Sequence, residues 1–178
     1  AEIRTTVEKD GKIEFNAGDK VRISMDDSIE GTHEKIAVTY PGLYDDVHVG
    51  GHVLFDDGLI DMIIDEKDEA NHELVCTVQN HGLLGSRKGV NAPGVSINLP
   101  GITEKDSSDI RFGLEQGINY IAASFVRKPE DIEDIRALLK EKNMEDVQIF
   151  PKIESQEGID NFEAIMAVAD GLMVPRGD

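Results

Sequence analysis

Two pairs of charged residues stand out by type and spacing. Lys152 and Glu154 lie two apart at the end of an apolar run, Val147 to Ile153. A period of two puts both side chains on one face of a strand. Arg176 and Asp178 repeat that spacing after Gly171-Leu172-Met173-Val174. In parallel α/β architectures, functional groups gather at the carboxyl ends of strands. Glu154 and Asp178, delivered by neighbouring strands, could share a hard divalent cation. Mg²⁺ takes one or two carboxylates and fills its remaining positions with water and substrate oxygens. A lysine beside it opposes the charge of a transferring phosphoryl group. The spacing also describes surface Lys-Glu and Arg-Asp pairs at loop starts, where charges are common, and both readings stay open on spacing alone.

Gly85-Ser86-Arg87-Lys88-Gly89 is a basic spot in an acidic chain. A glycine-flanked Arg-Lys can approach phosphate oxygens closely, though it lacks the P-loop spacing and reads equally as a solvated linker. Ser124 ends a strand on the same rim, where it could bond a ligand or cap the following turn. His33, His48, His52, His72 and His81 show no metal-ligand spacing, and surface or loop positions are expected for them. Cys76 reads as a buried small apolar residue, and Phe162 and Met166, at helical spacing, as core.

These groups need elements to hold them. In the first half, Val21, Ile23 and Met25 alternate with polar residues, as do Ile36, Val38 and Tyr40. Asp56-Asp57-Gly58 between two apolar runs is a hairpin signal, and Glu73 to Val78 is another strand. Several short strands with glycine punctuation predict a small all-β barrel or sandwich over residues 1–88. The second half, 89–178, changes period. Thr103 opens a helix with Asp106 standing in for the usual glutamate of a capping box. Tyr120 to Val126 reads as a buried strand. Pro129 starts a helix carrying Ile132, Ile135, Leu138 and Leu139 on one face. Val147 to Ile153 is the next strand, Ile159 to Met166 the next helical stripe, and 171–174 a last short strand. This is strand-helix-strand-helix-strand with a parallel sheet, too short to close an eight-stranded barrel.

Composition narrows the partners. The 178 residues hold 18 Lys+Arg against 36 Asp+Glu, a formal charge of −18. That argues against nucleic-acid or anionic-membrane binding. With 39% apolar residues a core is affordable, and one cysteine excludes an internal disulfide. No apolar run approaches the roughly 18 residues of a membrane span, and the N-terminus has no signal-peptide character. A cytoplasmic soluble protein is expected.

Longer stretches carry a resemblance. Glu-Ile-Arg-Thr at 2–5, Asp-Asp-Gly-Leu-Ile at 56–60, Arg-Lys-Gly-Val-Asn at 87–91 and Leu-Pro-Gly-Ile-Thr-Glu-Lys-Asp at 99–106 are similar to pyruvate kinases. So are Ala-Ala-Ser-Phe-Val-Arg-Lys at 122–128, Pro-Lys-Ile-Glu-Ser-Gln-Glu-Gly at 151–158 and Asp-Gly-Leu-Met-Val-Pro-Arg-Gly-Asp at 170–178. The motifs run in family order from end to end. The resemblance implies a mobile β-barrel lid domain over 1–88 and, over 89–178, a partial segment of a catalytic (β/α)8 TIM barrel.

It also implies roles. Lys152 resembles the lysine that stabilises the phosphoryl group passing from phosphoenolpyruvate to ADP, giving pyruvate and ATP. Glu154 and Asp178 resemble the Mg²⁺ (or Mn²⁺) carboxylates, and Gly177 with Asp178 the segment that holds phosphoenolpyruvate. Arg4 resembles a nucleotide-contacting arginine and Lys88 a lid-linker lysine reaching nucleotide phosphates, with Arg87 as its alternative. K⁺ dependence and a homotetrameric parent protein are further implications. The chain departs from the family in Pro175, where alanine is usual, and Ala92, where leucine is common. It also lacks the family's first and last barrel strands and most of the monovalent-cation ligands. A piece of a longer enzyme, inactive alone, is therefore expected. Two other classes stay open: a Mg²⁺-dependent barrel lyase or aldolase acting on pyruvate-like substrates, and a non-catalytic fragment that touches nucleotides.

Overall fold

A computed structural model describes residues 1–176. The chain divides into two units, Glu2–Asn98 and Leu99–Asp178, with Ala1 joining the second. The change of period predicts a boundary after residue 88. The division falls ten residues later because Gly89–Asn91 is a strand of the first unit's sheet.

The Glu2–Asn98 unit holds β1 (Ile3–Arg4), β2 (Lys12–Phe15), β3 (Lys20–Ser24), β4 (Lys35–Ala37), a one-turn helix α1 (Leu43–Asp46), β5 (His52–Phe55), β6 (Ile60–Asp68), β7 (Glu73–Val78), β8 (Gly82–Gly85) and β9 (Gly89–Asn91). Seven strands form one sheet in the order β1-β9-β5-β6-β7-β3-β4, and β2 pairs with β8 separately. The β3–β4 pair is parallel, so the sheet is mixed. Its two edge strands are joined: Thr5 bridges Val38, Thr6 N–H donates to the Ala37 carbonyl at 3.1 Å, and Thr39 N–H to that of Arg4 at 2.9 Å. The sheet therefore curls until its edges meet. Strand alternation sends Val21 and Ile23, Val53 and Phe55, Ile60, Met62 and Ile64, and Leu74, Cys76 and Val78 into one core. Each large side chain so buried contributes about 1.5–3 kcal/mol. The expected hairpin joins β5 to β6, with Phe55 opposite Ile60. Asp56, Asp57 and Gly58 turn it at φ of 50°, 55° and 82°, positive values that aspartate and glycine tolerate.

The second unit holds α2 (Glu104–Glu115), β10 (Tyr120–Ala123), α3 (Pro129–Glu141), β11 (Gln148–Pro151), α4 (Gln156–Asp160) and α5 (Phe162–Val168). The Thr103 hydroxyl accepts from Asp106 N–H at 3.0 Å and the Asp106 carboxylate from Thr103 N–H at 2.8 Å, completing the aspartate version of the capping box. β10 and β11 are parallel, from Tyr120 opposite Gln148 to Ala123 opposite Pro151. Ile132, Ile135 and Leu139 of α3 pack with Ile149, Ile153, Val126 and Ile165.

Three expectations change. The strand at 120–126 stops at Ala123 and is only half covered: Tyr120 and Ala122 face away from the core while Ala123 is buried. The stripe from Ile159 to Met166 is broken at Asn161, whose side-chain amide donates to the Arg127 carbonyl at 2.8 Å and ends α4. Ile159 and Phe162 are left exposed, Met166 half-buried, and only Ile165 joins the core. Residues 171–174 contribute a single parallel bridge, Met173 to Lys152, rather than a strand.

One carboxyl group in the first unit sits oddly. Glu8 is 1% exposed, and neither carboxylate oxygen has a hydrogen-bond partner among the described residues. It fits because Gly31 has no side chain: a Cβ there would stand 1.6 Å from Glu8 Oε2. Burial without a partner pushes the Glu8 carboxyl up to about 7. Between pH 4.5 and 7 the unfolded chain loses this proton while the folded chain keeps it, so stability falls as pH rises through that window. The shift corresponds to roughly 3 kcal/mol, using about 1.36 kcal/mol per pH unit. Glu8→Gln, uncharged throughout, should flatten the fall in unfolding free energy between pH 5 and 8. Parallel pH profiles for the two proteins in urea unfolding would refute the assignment.

Candidate active site

The parallel ladder fixes where β11 delivers its last side chains. Lys152 N–H donates to the Ala123 carbonyl at 2.8 Å, and the Lys152 carbonyl accepts from Val126 N–H at 3.2 Å. On its other side, Ile153 N–H donates to the Met173 carbonyl at 3.0 Å. Lys152 and Glu154 thus leave β11 on one face, and Lys152 Nζ lies 2.7 Å from Glu154 Oε1. The Glu154 side chain is 5% exposed and that of Lys152 22%. The second oxygen, Oε2, accepts from Phe125 N–H at 2.6 Å. The Ser124 hydroxyl lies 3.4 Å from Lys152 Nζ, so Ser124 faces the lysine. Behind the pair, the Ser155 hydroxyl caps α4 by accepting from Gly158 N–H at 3.2 Å.

Sequence spacing foresaw the Lys152–Glu154 pairing. It did not reveal the Phe125 amide, which depends on a backbone φ of 56°, nor the close approach at Gly158. The Ser155-x-x-Gly158 start of α4 was a readable capping signal. Gly177 and Asp178, the other expected carboxylate segment, lie outside the described residues.

A second cluster forms within the Glu2–Asn98 unit. β1 and β9 are antiparallel, with Arg4 opposite Gly89. Thr5 N–H donates to the Lys88 carbonyl at 2.8 Å and Lys88 N–H returns to the Thr5 hydroxyl at 2.9 Å. This brings Arg4 beside the basic turn: Arg4 Nη1 donates to the Arg87 carbonyl at 2.9 Å, and Nη2 pairs with Glu2. Lys88 Nζ lies 3.1 Å from Asp56. Arg4 and Lys88 side chains are about half exposed, within reach of a solvent-borne anion.

The remaining candidates are structural. His33 pairs with Asp19 at 3.1 Å and His52 with Asp61 at 2.8 Å on the surface. Cys76 is fully buried, and burial pushes its thiol up to about 12, which rules out a thiolate nucleophile near neutral pH. No described helix is long and apolar enough to cross a membrane.

The donor chemistry suits a hard divalent cation in one respect. A carboxylate offers about four lone-pair sites, and Lys152 and Phe125 engage one on each Glu154 oxygen, so further oxygen donation is available. Lys152 has the Ser124 hydroxyl as a second partner. Among the described residues no group of three or more His, Cys, Asp or Glu could hold a metal, and Mg²⁺ can be held through one or two carboxylates with water and substrate oxygens filling its other positions.

Comparison with known proteins decides the family. The model for the pyruvate kinase barrel domain matches residues 1–178. The chain belongs to the pyruvate kinase family. It is 63% identical over 178 residues to the pyruvate kinase of Lactobacillus delbrueckii subsp. bulgaricus, covering all of this chain and 30% of that protein. It is 56% identical to the enzyme of Bacillus licheniformis and 54% to that of Staphylococcus saprophyticus, each over 177 residues and again 30% of the relative's length. The chain thus spans about a third of the pyruvate kinases it matches.

Gly158 lets α4 approach the segment after β10 closely, since a Cβ there would stand 2.7 Å from the Val126 carbonyl. Glycine-to-alanine in a helix ordinarily stabilises by roughly 0.5–1 kcal/mol. Here overpacking against backbone reverses the sign, and Gly158→Ala should lower the unfolding free energy by about 1–3 kcal/mol. A urea midpoint equal to or above that of the parent chain would show that the helix approaches less closely.

Proposed function

We propose that this chain carries the phosphoryl-transfer centre and the nucleotide-contacting lid of an ATP-forming pyruvate kinase. The Glu2–Asn98 unit is read as the lid domain and Leu99–Asp178 as part of a (β/α)8 catalytic barrel. The supporting observation is the Lys152–Glu154 pair, an ammonium and a nearly buried carboxylate in contact at the carboxyl end of a parallel strand, in a chain of this family.

The reaction would move the phosphoryl group of phosphoenolpyruvate to ADP. Lys152 would place a fixed positive charge against the oxygens of the group in transit, where a low-dielectric setting makes it worth more than in water. Glu154 would hold that ammonium in place and, with Asp178, bind Mg²⁺ or Mn²⁺. Bound there, the cation would neutralise charge developing on the transferred group. Arg4 and Lys88 would contact the ADP phosphates, and Gly177 with Asp178 the phosphoenolpyruvate side. The K⁺ requirement, homotetrameric assembly and cytoplasmic location belong to the same reading and have no assigned residues here. A lyase or aldolase reading draws no support from the family match.

The test uses the full-length protein that contains this chain. Lys152→Met should cut kcat for phosphoenolpyruvate-dependent ATP formation by at least about 10²–10³, the scale of losing one electrostatic contact to a transition state, with substrate affinity changed far less. A variant within tenfold of wild type would remove Lys152 from the chemistry. Lys88→Ala should instead raise the KM for ADP with a smaller change in kcat. An unaltered KM for ADP would detach Lys88 from the nucleotide.

A further inference from the structure

Just beyond the in-register β10 and β11, the hydrogen bonds between the two chain segments fall out of step by one residue. Gln148 N–H donates to the Asn119 carbonyl, and four residues later on both strands Lys152 N–H donates to the Ala123 carbonyl. In a continuing parallel ladder the Lys152 carbonyl would accept from the residue two beyond Ala123, which is Phe125. It accepts from Val126 instead. One residue more than the ladder needs lies just past the end of β10, which we read as a β-bulge, and bulges occur where a strand must re-aim a group. The amide released from the ladder is the Phe125 N–H, and it points at Glu154 Oε2, 2.6 Å away. Phe125 reaches this arrangement at a φ of 56°, which bulky residues avoid. The ladder bonds at Ala123 and Val126 on either side hold it there.

Resting on the pyruvate kinase reading, we propose that the bulge at Ser124–Phe125 makes Phe125 a positioning residue: its freed backbone N–H fixes Glu154 so that one carboxylate oxygen meets Lys152 and the pair stands preset for the divalent cation. The main chain performs this role and the benzyl side chain does not. A side-chain donor would swing on its rotamers, whereas an amide bracketed by two ladder bonds cannot.

The experiment separates amide from ring in the full-length protein. Replacing the Phe125 amide N–H by an ester oxygen, through incorporation of the matching hydroxy acid, removes the donor and keeps the side chain. Phe125→Gly keeps the N–H, suits positive φ and removes the side chain. The first readout is Mn²⁺ binding without substrates. The ester should weaken it about tenfold, while Phe125→Gly should stay within about threefold of wild type. In steady-state assays the ester should raise the half-saturating Mg²⁺ and lower kcat, leaving the KM for ADP unchanged. Ester-variant binding equal to wild type overturns the proposal. So does a folded Phe125→Gly protein that loses affinity tenfold, and that variant decides the matter if the ester protein does not fold. A wild-type protein that forms no ATP but shows the expected binding pattern would sink the function reading and leave this one standing.

Discussion

A carboxylate almost removed from water, held between an ammonium and a main-chain N–H, is the constraint that organises the Leu99–Asp178 unit. Desolvating a charge costs several kcal/mol even after the protein relaxes. At Glu154 that cost is offset by the 2.7 Å contact to Lys152 and the 2.6 Å bond from Phe125. Neither partner can be lost cheaply, because the nearly buried Glu154 carboxylate would then be left with less to compensate its charge. The surrounding packing follows from this. β10 must stay in register beside β11, α4 must approach closely enough to need glycine at 158, and the main chain at Met173 bridges Lys152 on its other edge.

The Glu2–Asn98 unit handles its cations differently. Arg4 and Lys88 keep roughly half their side-chain surface in water and lean on Glu2 and Asp56. Exposed pairs of this kind are worth about 0–1 kcal/mol and are screened by salt, so both side chains can leave their partners for an arriving phosphate at little cost. The strand pairing that carries them is firm, since Thr5 and Lys88 exchange main-chain and hydroxyl bonds. The anchoring is stiff and the reach is loose, which suits the phosphate contact proposed for them. The nearly buried Lys152–Glu154 pair has the opposite character.

How much of this the sequence disclosed depends on the range of the forces involved. Local signals read correctly: the Thr103–Asp106 capping box, Pro129 at the start of α3, the Asp56-Asp57-Gly58 turn and the period-two pairing of Lys152 with Glu154. Each is decided within a few residues. The short strands β1, β2, β8 and β9 went unseen, because two to four residues carry too little periodicity and are held by partners up to 80 or more positions away. Phe162 and Met166 matched a helical stripe, but Asn161 breaks the helix by bonding Arg127, a contact 34 residues back in the chain. The orphan carboxyl of Glu8 was equally hidden, since an exposed and a buried glutamate look alike until Gly31 is known to stand opposite. The family motifs were legible because they are long. The Phe125 amide was not, because its role belongs to backbone geometry rather than residue type.

Backbone geometry also links the two clusters. Among the described residues, seven non-glycine positions have positive φ: Asp10, Asp56, Asp57, His72, Arg87, Phe125 and Asn143. Five are aspartate, asparagine or histidine, the types enriched there. Arg87 and Phe125 have no such excuse of composition. Arg87 presents its carbonyl to Arg4 and precedes Lys88, and Phe125 presents its amide to Glu154. Conformations of this kind cost on the order of 1–3 kcal/mol and persist only where neighbours over-determine them. Turns elsewhere in the chain are made from residues that relieve that strain. In the Arg4–Lys88 and Lys152–Glu154 clusters the strain is kept, and in each the strained residue supplies a main-chain group that holds one of the charged side chains.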